Sequence, residues 1–93
     1  METKTVFLNQ HSDVKKIELP IRDGECRFVE IINEIEIMRA EDSRPGSAFL
    51  LRDYEQLAYM YVLGMYDACA IDNETMKNLF DLIRGDSEIV YLP

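Results

Sequence analysis

Ten consecutive residues, Leu57 to Tyr66, carry no charge, and they lie within a stretch whose apolar side chains recur at helical rather than strand spacing. A helix that is apolar around most of its circumference must be covered by neighbours on most sides. In a chain of 93 residues, too short for two domains, that requirement organises everything else around one element. The spacing predicts a central helix over 47–70, capped by Ser47 after the stop at Pro45-Gly46. Leu50, Tyr54, Leu57, Tyr61, Met65 and Ala68 form one stripe, and Leu51, Ala58, Val62 and Cys69 a second. Tyr61 and Leu57, in the middle of the first stripe, are expected in the core. Gly64 costs about 1 kcal/mol against alanine at a helix centre, which predicts a close crossing by another element there.

The flanking segments supply the partners. Lys4–Leu8 and Val14–Ile21 read as strands, the second with Ile17, Leu19 and Ile21 alternating against polar residues. Pro20 cannot donate to a ladder, so that strand is expected at a sheet edge or ending there. Residues 25–42 fit two patterns. As a helix, Phe28, Ile31, Ile32, Ile35 and Met38 share one face, with Glu30, Glu34 and Glu41 opposite. As a hairpin continuation, Asp23-Gly24 makes a two-residue turn and Arg22 faces Glu25. The length without a breaker favours the helix. Asp72 is placed to cap a third helix, 73–84, with Met76, Leu79, Phe80 and Ile83 inward, Arg84 in the last turn and Gly85 as its stop. Ser87–Leu92 reads as a last strand pairing with one of the first two. The expected fold is therefore α+β and mainly helical, one domain over 1–93, with short terminal strands forming a small antiparallel sheet.

Chemistry-bearing patterns are sparse. His11, the one histidine, sits in a polar turn with no nucleophile placed near it by any motif. One histidine and two distant cysteines give no zinc spacing, and no calcium loop occurs. The four glycines are isolated and form no phosphate-cradling loop. Carboxylate pairs such as Glu34/Glu36 and Glu41/Asp42 read as solvated surface. The expectation is a non-enzyme with no catalytic residue, metal or cofactor. Cys26 and Cys69 lie among apolar residues and are expected reduced and buried. The amino terminus lacks the layout of a signal peptide, and the apolar stretch Leu57–Ile71 is too short for a bilayer and broken by Asp67. The expected compartment is the cytoplasm, with no membrane partner.

Charge carries the remaining information. Eighteen acids against ten bases give −8, and residues 1–23 contribute none of it, because their four acids and four bases cancel. A field of that sign repels phosphate and disfavours direct binding to nucleic acid. It favours a basic protein partner, such as a nucleic-acid-binding effector. The densest acidic segment is 25–42, and on a helix Glu30 and Glu34 stand roughly 5–6 Å apart, near the spacing of successive phosphates on one strand. Glu30, Glu34 and Glu41 are the expected partner-binding residues. Tyr59 and Tyr66, seven apart, share a side distinct from Tyr54 and Tyr61, and are the expected contacts if the protein forms a homodimer.

In size, acidity and lack of catalytic motifs the whole chain resembles the small inhibitors made by bacteriophages and mobile elements, anti-CRISPR and anti-restriction proteins among them. The resemblance is one of general character, and it assigns no residue roles. It implies an inhibitor that imitates nucleic acid at a basic surface. Immunity proteins and antitoxins share the profile, and a structural or regulatory homo-oligomer assembled through the central helix is the alternative.

Overall fold

Two strands open the chain, β1 (Thr3–Gln10) and β2 (Asp13–Pro20), followed by three helices, α1 (Arg27–Ala40), α2 (Ser47–Asp67) and α3 (Asn73–Arg84), and a short strand β3 (Glu88–Val90). The structure is a computed structural model and describes residues 2–10, 13–22, 25–40 and 47–90, without the side chains of 47–49. His11, Asp23-Gly24, Glu41, Asp42 and Pro45-Gly46 fall outside the described residues, as does the end of the last expected strand.

The sheet is antiparallel in the order β2-β1-β3. Val6 pairs with Ile17, and the alternation that follows from the pleat turns Val6, Leu8, Ile17 and Leu19 to one face, where all four are buried. The helices cover that face, giving two layers around one core. β2 is an edge strand ending at Pro20, as the missing N–H requires. Val14 lies on the outer face and is exposed. Lys15, opposite Leu8, is directed to the inner face and reaches Glu74 of α3 at 4.0 Å.

Both patterns read from 25–42 are present in part. Arg22 and Glu25 exchange backbone hydrogen bonds of 3.0 and 3.1 Å, the single pair of the hairpin alternative, after which the chain turns into α1. The helix prevails because four of its five expected inward residues, Phe28, Ile31, Ile32 and Ile35, are then buried together. Met38 is half-buried, and Val29 adds a further buried position. A strand would have sent neighbouring isoleucines to opposite faces.

α3 is bounded as its sequence directs. Asp72 accepts from the Thr75 N–H at 2.7 Å, and that bond holds its carboxyl below the usual carboxylate range, so the cap is complete at neutral pH. Gly85 takes φ +87°, and the N–H groups of Gly85 and Asp86 return to Leu82 and Asp81. The inward face holds Leu79 and Ile83 as expected and Leu82 in addition, while Met76 and Phe80, also expected inward, are half-buried at its margin. Arg39, at the end of α1, ties the helices together: its guanidinium donates to the Ile83 carbonyl and lies 3.7 Å from the carboxylate of Glu55 on α2. Gln10 donates to Asp81 at 2.6 Å and joins β1 to the same end of α3.

α2 departs from expectation in three ways. It ends at Asp67, before the expected residue 70, because Cys69 adopts φ +60° and the Ala70 N–H closes on the Met65 carbonyl at 2.9 Å. This is the left-handed stop that glycine commonly makes, here built on cysteine, and nothing in the residue type announces it. Cys69 is consequently exposed, not buried, whereas Cys26 is buried as expected, and both are free thiols. An L side chain in that region costs roughly 1–2 kcal/mol. We expect Cys69→Gly to raise stability by about 1 kcal/mol, read as a higher thermal midpoint; an unchanged or lower midpoint would show that the thiol's own contacts outweigh the strain.

The second departure is rotational. Leu57 and Tyr61 are 42% and 39% exposed and do not form the core, while Ala58 and Val62, of the second stripe, have no exposed surface. The inward line runs through Leu51, Tyr54, Ala58, Val62 and Met65. Helices packed 8–10 Å apart need small side chains where they meet, and alanine and valine meet that need. The third concerns Gly64. It is exposed, and a Cβ built there would touch nothing within 4 Å, so among the described residues no element crosses it.

Candidate interaction faces

Two surfaces stand out once the core is assigned. The first is the solvent side of α1. Phe28, Ile31, Ile32 and Ile35 hold the inward side, so Glu30 and Glu34, one turn apart, project outward and are exposed. Arg27, a turn before, lies 3.7 Å from Glu30. Ile37, on the same side as Glu30 and Glu34, is 50% exposed, which sets an apolar side chain beside the two acids. Glu41, expected on this face, lies outside the described residues. The row sits on a helix anchored by its apolar side and by Arg39, so its geometry is fixed by the fold.

The second surface is the outer side of α2. Leu57, Met60 and Tyr61 are exposed there around Gly64 and Ala68, with Leu50 further along the same side. Across from them Pro20, Ile21, Arg22, Glu25 and Arg27 line an open groove of about 910 Å³, whose other side is made by Leu57, Met60, Tyr61 and Gly64 among others.

Tyr59 and Tyr66 do share a side of α2, but it is not this one. Tyr59 is half-buried against Phe80 of α3, with ring centroids 5.3 Å apart and planes at 55°. Tyr66 is exposed and borders a different hollow, about 710 Å³, with Lys16, Glu18, Asp67, Cys69 and Asp72. That hollow is open and of mixed charge. Among the described residues no three His, Cys, Asp or Glu side chains are grouped to hold a metal ion, and no helix is long and apolar enough to cross a membrane.

Compared with known proteins, the chain matches no family model, no curated protein and no solved structure. Its functional reading therefore rests on its own surfaces. The acidic row was legible in the sequence because charged residues at helical spacing declare the side they occupy. The exposed side of α2 was not, because nearly every position along it is apolar.

Proposed function

We propose that this protein acts by binding: a non-enzymatic, acidic interaction protein whose α1 face docks on a basic surface of a nucleic-acid-handling protein, in the manner of phage or mobile-element inhibitors. The observation that carries the reading is the outward projection of Glu30 and Glu34 from a helix locked on its other side by buried Phe28, Ile32 and Ile35. Two glutamates whose Cβ atoms stand ~5–6 Å apart offer a basic groove a charge repeat near that of a nucleic-acid strand. The exposed Ile37 beside them supplies an apolar anchor, the element that usually carries binding energy while charges supply rate and orientation.

The test begins with affinity capture of the partner from a bacterial lysate and continues with its association rate. Charge contacts on an exposed rim raise the association rate and weaken with salt. Glu30→Lys with Glu34→Lys should slow association steeply at low ionic strength and little at high salt. Stability should change by only ~0.5 kcal/mol. A double variant that associates with the captured partner as fast as the parent at low salt would reduce the acidic row to a solubility feature.

A further inference from the structure

β2 is an edge strand of eight residues, paired with β1 on one side and with no strand on the other among the described residues. Residues along an antiparallel strand alternate between directing both N–H and C=O at the partner strand and directing both away. Ile21, just past β2, donates to the Glu2 carbonyl at 3.0 Å, which fixes the phase of that alternation. Leu19, Ile17 and Lys15 are therefore bonded to β1, while Val14, Lys16 and Glu18 direct their backbone groups to the open edge. Pro20 falls in the same open set, where its missing N–H costs no bond to β1. A row of unmatched donors and acceptors of this kind is a template for another strand. The hollow of about 710 Å³ lies between Lys16, Ile17 and Glu18 and the turn after α2, and it leaves space beside that edge.

We propose that the strand added there is β2 of a second copy, antiparallel to the first, so that two three-stranded sheets become one. Only the antiparallel arrangement keeps the helix-covered faces on one side, because a two-fold axis along the strands would turn one sheet over. A slip of one residue would set buried side chains of one copy against exposed ones of the other, so the allowed registers differ by two. Charge chooses among them. With Ile17 beside Ile17 of the second copy, Lys16 of each copy stands opposite Glu18 of the other. Moved two residues one way, Lys16 meets Lys16; moved the other way, Glu18 meets Glu18.

The backbone agrees with that register. Lys16 exchanges both bonds with Glu18 of the second copy, and Val14 donates to the carbonyl of its Pro20, which has an acceptor and no donor to offer. Lysine and proline commonly close an edge to unselected strands, and here the second copy matches both. Lys16 and Glu18 are exposed, and neither has an ion-pair partner among the described residues, so both are available to it. Net charge favours this edge as the meeting place: the acids and bases of residues 1–23 cancel, and the −8 lies in the rest of the chain. One strand pair is a small interface, which puts the dissociation constant on the order of 10–100 μM.

Sedimentation equilibrium of the full chain across roughly 1 μM to 1 mM should show the shift from monomer to dimer. Amide hydrogen exchange followed by NMR locates the contact: the Lys16 and Glu18 amides should slow about 5-fold or more at the highest concentration. Lys16→Glu sets acid against acid at both positions and should weaken the dimer about 10-fold. Glu18→Lys should weaken it by a similar factor, although it reduces the net charge and would strengthen any contact limited by general repulsion. Lys16→Glu combined with Glu18→Lys restores opposite charges and should bring the dissociation constant back to within about 3-fold of the parent's. Both side chains are exposed, so all three variants should keep the parent's circular dichroism spectrum. A parent that stays monomeric throughout the range overturns the proposal, as does a dimer in which the Lys16 and Glu18 amides exchange as in the monomer. A combined variant no tighter than the single ones overturns the register.

Discussion

Phe28→Ala should lower the unfolding free energy by about 3–5 kcal/mol, the range for removing a buried aromatic ring and leaving a cavity. Phe28 is 1% exposed and the largest of the fully buried side chains. It sits on α1, which packs against α2 and contributes to the core shared with the sheet, so the space it vacates is bounded by more than one element and cannot close by movement of one. A domain of this size has roughly 5–10 kcal/mol in all, and the variant should unfold at a much lower urea midpoint. Ile37→Ala, on the outward side of the same helix and 50% exposed, is the internal comparison and should change stability by no more than about 0.5 kcal/mol. Equal effects of the two would place the inward side of α1 elsewhere than on the core.

The second large effect separates the two sides of α2. Val62→Asp places a carboxylate where no surface is exposed and the described surroundings are apolar, and it should cost at least about 3–5 kcal/mol, the scale of an uncompensated buried charge. That is a large part of the total, and the chain should be substantially unfolded at neutral pH. Leu57→Asp, five positions away on the open side, should leave the monomer folded, with a denaturation midpoint near that of the parent when measured at low micromolar concentration. The contrast is read from far-ultraviolet circular dichroism and urea titration. A folded Val62→Asp beside an unfolded Leu57→Asp would reverse the orientation of α2 described above.

That orientation is also where sequence and structure part. On α1 and α3 the buried faces could be read in advance, because glutamates, lysines and arginines alternate with isoleucines and leucines and leave one side apolar. Phe28, Ile31, Ile32, Ile35, Leu79 and Ile83 are all buried as their spacing predicts. On α2 the ten uncharged residues from Leu57 to Tyr66 mark no side as outward. Side-chain size pointed to Leu57 and Tyr61, but the helices meet along Ala58 and Val62, where small residues allow close approach. Cys69 hid the end of α2 for a similar reason: the left-handed stop was made by the backbone, without the glycine that would have announced it.

By itself the sequence determined the class and order of the elements. The length of 25–42 without a breaker favoured α1 over a hairpin, the edge proline marked where β2 stops, and the Asp72 and Gly85 caps bounded α3, because these are local effects that act between residues near in sequence. Once 25–42 is a helix, charge at helical spacing puts Glu30 and Glu34 together on the solvent side. The tertiary structure alone decided which way α2 turns, that Gly64 opens on solvent, and that Arg22 and Arg27 border a groove with Leu57 and Tyr61. Those outcomes depend on how closely separate elements approach, which is set by the volumes of side chains distant in sequence, and no local pattern encodes a distance between helices.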